Sequence, residues 1–92
     1  MKPINLVHRG VDSNNEYWAE EHEAFLADDF TVVKFEEDSL QIYRFPHSLA
    51  GKDEVDYCSE DDRVKRAEIH FEGIDVKSID ITKPLVEIIT KL

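Results

Sequence analysis

The sequence predicts a small α+β domain, an antiparallel sheet of about four strands with two helices packed on it. Three observations carry that expectation. Two β-branched and aromatic runs, "FTVVKF" and "LQIYRF", stand on either side of four polar residues. Apolar and charged residues alternate again around Ala67, Ile69 and Phe71, and two stretches near 13–29 and 82–92 carry apolar side chains at helical spacing. A chain of 92 residues suffices for one domain, 1–92, and buries roughly 60–70% of its unfolded surface on folding, so the core should be modest.

Taken in order, Ile4 to His8 alternates weakly and reads as an edge strand closed by Arg9-Gly10. Ser13 followed by Glu16 has the form of a capping box, in which each side chain accepts a backbone N–H of a first helical turn. At about 100° per residue, Trp18, His22 and Phe25 then share one face with Leu26 at its border, while Glu16, Glu20 and Glu23 stack on the other. The expected element is an amphipathic helix with an acidic outer stripe, Glu16 and Glu20 lying about 6 Å apart along its axis.

The hairpin follows, with its tip at Glu36 to Ser39. Pro46 ends its second strand, and residues 47–62 lack a period and read as a long loop with room for a short helical turn. Val64 to Gly73 has the period-2 pattern of a half-buried strand, and a further strand is expected over Ile74 to Ile81. Thr82 is placed to cap a last helix, Pro84 is tolerated in its first turn, and Leu85, Ile88, Ile89 and Leu92 give it an apolar stripe.

Charge is segregated. The net charge is −10, yet residues 12–38 and 53–62 hold sixteen of the twenty-one acids against one base, Lys34, and the rest of the chain is nearly balanced. Folding does not require this, because like charges four apart on a helix destabilise it by roughly 0.2–0.5 kcal/mol where a Lys would stabilise it. The acids of these blocks are therefore read as a partner-binding surface: Asp12, Glu16, Glu20, Glu21, Glu23, Asp28 and Asp29 on the helix side, Glu36, Glu37 and Asp38 at the hairpin tip, and Asp53, Glu54, Asp56, Glu60, Asp61 and Asp62 in the loop. They are expected to converge into one continuous strip. Such a surface repels nucleic acid and anionic membranes and attracts basic proteins.

Chemistry finds little to work with. "HEAFL" places Leu26 where a zincin needs its second His, no run has the spacing of an EF-hand, and the three glycines are single and far apart, so no metal site, cofactor or phosphate loop is expected. Cys58, the only cysteine, excludes an internal disulfide, fits a reducing cytosol and reads as a passive thiol. His22 reads as a packing residue and His70 as a surface one; no catalytic residues are assigned, and the chain is not read as an enzyme. The N-terminal "MKPINLVHRG" lacks the apolar run of a signal peptide and no segment is long enough to span a membrane, so the protein is expected to stay where it is made.

Over "HRGVDSNNEYWAEEHEAFLADDF", "VVKFEEDSLQIYRF" and "DYCSEDDRVKRAEIHFEGIDV", most of its length, the chain resembles the Arn family of anti-restriction proteins of T-even-like coliphages, small acidic DNA mimics. The resemblance implies a non-catalytic inhibitor in the host cytoplasm that occupies the DNA-binding surfaces of basic host proteins, an McrBC-type restriction endonuclease and the nucleoid protein H-NS. Carboxylates would stand in for phosphates. No family motif fixes individual residues, so the site residues above come from charge alone. A homodimer would lengthen the array, and the C-terminal stripe could serve it, although core packing accounts for that stripe equally well. The alternative from another class is an immunity protein or antitoxin that binds one cognate basic toxin through a local, partly apolar patch.

Overall fold

Six strands dominate the computed structural model, which describes all residues from Met1 to Leu92. They are β1 (Lys2–Val11), β2 (Tyr17–Asp28), β3 (Thr31–Phe35), β4 (Ser39–Arg44), β5 (Glu54–Cys58) and β6 (Lys65–His70), followed by a 3-10 turn (Val76–Ser78) and a single short helix, α1 (Leu85–Thr90). The spatial order is β5-β1-β2-β3-β4-β6, antiparallel except for the parallel pair β1 and β5. This corrects the expected α+β fold of four strands and two helices: the sheet is larger and mixed, and only one helix forms.

The largest departure lies at 13–29, where the expected amphipathic helix is replaced by the twelve-residue strand β2. Its partner decides this. β1 pairs with it along the full length from Lys2↔Leu26 to Val11↔Tyr17, giving its backbone a ladder that an isolated helix would have to match alone. The turn between them uses the residues that suggested a capping box. Asp12 accepts hydrogen bonds from the backbone N–H of Asn14 (2.8 Å) and Glu16 (3.0 Å), and Asn15 takes the left-handed conformation at φ 61° that Asn tolerates.

The β3–β4 hairpin forms as expected, Phe35 pairing with Leu40 and the Glu36 N–H donating to the Ser39 carbonyl. Other expectations need correction. β1 lies inside the sheet, between β5 and β2, and is not an edge. The loop expected over 47–62 contains β5, whose buried Val55 and Tyr57 alternate with exposed Glu54, Asp56 and Cys58. No strand forms over 74–81; Gly73 turns the chain at φ 70°, Asp75 caps the 3-10 turn, and Ile74, Val76 and Ile79 pack down as single anchors. α1 has Pro84 at its N-cap position, and no helix is long and apolar enough to cross a membrane.

The sheet is curled, and chain length shows why it must be. In a flat sheet the edges β5 and β6 would lie about 24 Å apart, and Cys58, level with Arg9, would stand a further ~26 Å along the strands from Lys65, level with Arg44. The chain from Cys58 to Lys65 has only seven Cα steps, about 25 Å when extended. Curling brings the edges within reach: Tyr57 on β5 stands 5.1 Å, centroid to centroid, from Tyr43 on β4, although three strands separate them in the ladder. The concave face encloses the main core of Ile4, Leu6, Ala24, Leu26, Val32, Tyr43, Val55 and Tyr57, closed by Phe45, Leu49 and Val64 from the connections.

The convex face is covered on one half only. Residues 71–92 lie over β3, β4 and β6, where Phe71, Ile74, Ile79, Leu85 and Ile89 cluster with Val33 and Leu40. The amino terminus ties this layer down by donating to the Ile81 carbonyl at 2.8 Å. The α1 stripe is thus used inside the domain; Leu85, Ile89 and Leu92 belong to this cluster and Ile88 is buried. Across β5, β1 and β2 as far as Glu23 the convex face bears no covering layer, and apart from buried Val7 its outward side chains meet solvent.

Candidate functional site

The uncovered face carries a carboxylate ladder. Paired residues of neighbouring strands point to the same side, so Glu23, Asn5 and Glu54 form one row across β2, β1 and β5, and Glu21, Val7 and Asp56 the next. Two columns of carboxylates therefore flank β1. Sheet geometry sets them about 6.7 Å apart within a column and about 10 Å apart between columns. Contacts hold the arrangement: Asn5 Nδ2 donates to Glu21 Oε1 at 3.1 Å, and Arg9 pairs with Asp56 at 3.1 Å. Val7, buried between the columns, supplies the apolar floor. Asp53 lies at the lower edge, paired with Lys2 at 3.1 Å. Glu21, Glu23 and Glu54 have no cationic partner, and two of them about 7 Å apart in water repel by only about 0.6 kcal/mol before screening. The sheet tolerates the ladder easily.

The other expected site residues lie elsewhere, so the single continuous strip does not form. Strand geometry sends Glu20 to the concave face, where it pairs with His22 at 3.3 Å; consecutive glutamates that a helix would keep near one another are split between two sides. The helical row of Glu16, Glu20 and Glu23 therefore does not exist. Asp12 and Glu16 sit in the β1–β2 turn, with Asp12 occupied by backbone N–H groups. Asp28 and Asp29 form the opposite turn; the Phe30 N–H, donating to Asp28 at 2.8 Å, holds that carboxyl below its ordinary range.

Glu36 is neutralised by Lys34 at 2.6 Å. Glu37 and Asp38 stand at the hairpin tip, beside Glu72 and Asp75, two acids the charge reading missed because they lie outside both acidic blocks. Glu60 accepts from the Cys58 thiol at 3.1 Å, and Asp61 is paired with Arg63 at 3.0 Å; each contact lowers the carboxyl below its usual range. Asp62 completes that exposed turn. Four of the sixteen residues, Glu36, Asp53, Asp56 and Asp61, are thus paired with Lys or Arg. The structure brings together Glu21, Glu23, Asp53, Glu54 and Asp56 and disperses the rest.

Toward the hairpin turn the ladder gives way to an apolar groove of about 450 Å³ lined by Arg9, Val11, Tyr17, Ala19, Cys58 and Glu60. Tyr17 is 89% exposed there. The local pattern gives no sign of this groove, because Tyr17 falls in the stretch 13–29 expected to be helical and Cys58 in the loop expected over 47–62. No three His, Cys, Asp or Glu side chains converge in a way that could hold a metal ion.

One histidine is out of balance. His8 on the concave face stacks on Tyr57 with centroids 4.9 Å apart and meets Trp18 edge-on at 4.9 Å, and its Nε2 is buried with no hydrogen-bond partner. Trp18 can reach it because Gly10 has no side chain: a Cβ there would stand 2.4 Å from the Trp18 ring. Burial pushes the imidazole below its ordinary value of 6.5, with Glu20 opposing and His22, Lys34 and Arg66 assisting. The unfolded chain then binds the proton more readily than the folded one. Stability supplied by neutral His8 is complete above that ordinary value and is lost as pH falls from it through the folded value. Urea denaturation from about pH 7 to pH 5 should show the midpoint falling, and His8→Phe should flatten the fall. A midpoint that rises on acidification would contradict this.

The chain matches no family model, no curated protein and no solved structure.

Proposed function

We propose that this protein is a non-catalytic, DNA-mimic inhibitor that occupies the DNA-binding surfaces of basic host proteins, among them an McrBC-type restriction endonuclease and H-NS. The observation that carries the reading is the ladder of Glu21, Glu23, Glu54 and Asp56 on the one uncovered sheet face. A column spacing of about 6.7 Å sets one carboxylate at every second phosphate of a strand with a rise of ~3.4 Å per nucleotide. The separation of about 10 Å between columns lies between the widths of the two grooves of B-DNA, about 6 and 12 Å. The imitation is of a patch, since the remaining acids point elsewhere. Held on a sheet, these groups lose little freedom on binding, which favours them over a flexible acidic tail. Carboxylates cannot copy base edges, so the inhibitor should compete best with proteins that read backbone and shape.

The apolar groove beside the ladder, with exposed Tyr17, favours a second reading: an immunity protein or antitoxin that holds one cognate basic partner. Displacement separates the two. A fluorescent duplex bound to H-NS, and separately to an McrBC-type DNA-binding domain, should be released by the protein at about 50 mM salt and far less at about 200 mM, because the competing contact is electrostatic. Release from neither would overturn the proposal, and salt-tolerant release from only one would favour the cognate-partner reading.

A further inference from the structure

The upper half of β2 has a free edge. Its ladder with β3 covers only Phe25 to Asp28 and β3 itself ends at Phe35, level with Glu23, whereas its ladder with β1 continues to Tyr17, so Tyr17 to His22 has a neighbour on one side only. Alternation tells which backbone groups face outward. The Asp12 N–H donates to the Glu16 carbonyl, which makes these two a hydrogen-bonded pair, and such pairs recur at every second residue of an antiparallel ladder. Trp18, Glu20 and His22 therefore bond to β1, and Tyr17, Ala19, Glu21 and Glu23 aim N–H and C=O away from it. The far side of β1 agrees in phase: its odd residues bond toward β5, the Asn5 N–H to the Asp53 carbonyl at 2.9 Å and the Ser59 N–H to the Arg9 carbonyl at 3.0 Å. Outside the strand ladders no backbone hydrogen bond reaches the four outward residues.

An exposed edge of this kind is a template for another strand. Side chains decide which strand fits. Glu20 lines one face of the edge and Glu21 and Glu23 the other, with no Lys or Arg between residues 13 and 29. Pairing this edge with a second copy would bring Glu20 and Glu21 of one chain against Glu20 and Glu21 of the other with no base among them, and like charges facing one another across strands are destabilising. A strand with Lys or Arg at alternate positions meets opposite charge instead. We infer that the Tyr17–His22 edge of β2 docks an extended basic segment of a partner protein, through backbone hydrogen bonds to Tyr17, Ala19 and Glu21 and cation pairing to the side chains of Glu21 and Glu23. This rests on the reading above and sharpens it: the partner presents a basic strand or tail alongside its DNA-binding surface.

The test uses the full chain labelled with ¹⁵N and a blocked nonapeptide of alternating Lys and Val. On peptide binding, amide exchange at Tyr17, Ala19 and Glu21 should slow about tenfold or more, while Trp18, Glu20 and His22, already bonded to β1, should change little. The same peptide N-methylated at every residue keeps its charge and should give no protection. Ala19→Pro removes one outward N–H without breaking the β1 ladder, so it should fold, as Trp18 fluorescence would show, and lose the protection. Equal protection by both peptides, unchanged binding to Ala19→Pro, or protection that grows with protein concentration in the absence of peptide would each overturn the inference. No protection by either peptide would also overturn it, leaving the glutamates as guards of a bare edge. The DNA-displacement assay scores the acidic face independently, so either idea can fail alone.

Discussion

Tyr57→Ala is expected to cost about 3–5 kcal/mol, a large share of the roughly 5–15 kcal/mol that holds a domain of this kind together. Tyr57 is 2% exposed and sits where the curl of the sheet closes. Its ring stacks on His8 from the neighbouring strand, meets Tyr43 across the bowl, touches Phe45 edge-on with centroids 6.4 Å apart, and lies under the Arg66 guanidinium at 5.9 Å. These partners come from β1, β4, the segment after β4, and β6, so one side chain joins both edges of the sheet to its interior. Truncation leaves a cavity among strands whose positions the short β5–β6 connection already constrains, which limits collapse around it. Urea titration followed by Trp18 fluorescence should give a much lower midpoint for Tyr57→Ala, while Tyr57→Phe, which keeps the ring, should cost less than about 1.5 kcal/mol. A wild-type midpoint for the alanine variant would mean that the curl is held elsewhere.

The parts of the fold that the sequence makes legible are those where local pattern and tertiary partner agree. "FTVVKF" and "LQIYRF" are strand formers in alternation around a polar tip, and they pair with each other, so nothing distant can overrule them. The α1 stripe is legible for the same reason. β2 is not, because its apolar residues satisfy two periods at once: Trp18, His22 and Phe25 fit a helix, and Trp18, His22, Ala24 and Leu26 fit one face of a strand. What decides between them is β1, a weak pattern whose length becomes visible only once it is paired on both sides. In β5 the alternation of Val55 and Tyr57 is present in the sequence but stands inside a run of acids, which drew it into a loop.

The candidate site follows the same logic. Segregation of charge is plain in the sequence, whereas its direction depends on the period. A helix would gather Glu16, Glu20 and Glu23 along one side; the strand puts Glu20 on the opposite side from Glu21 and Glu23, and the parallel β1–β5 pairing then delivers Glu54 and Asp56 to the second column. Parallel neighbours are brought together by a crossover, so the local pattern gives no hint of their register. Lys2 and Arg9, which trim the charge of the acidic face, come from outside both acidic blocks and were invisible to a block-by-block count.

The functional proposal makes position, and not total charge, the determinant of binding. Glu21→Gln/Glu23→Gln/Glu54→Gln removes the three ladder carboxylates that have no cationic partner, and Glu37→Gln/Asp38→Asn/Glu72→Gln removes as many charges at the hairpin tip. Both should fold at least as well as the wild type, since each relieves repulsion among exposed groups. The decisive measurement is displacement of duplex DNA from H-NS by the two variants at low salt. The ladder variant should be weaker than wild type by about tenfold or more, at roughly 0.5–1 kcal/mol for each lost charge contact, and the tip variant should stay within about twofold. Equal losses in the two variants would mean that the protein acts through bulk acidity, and full activity of the ladder variant would remove the sheet face from the mechanism.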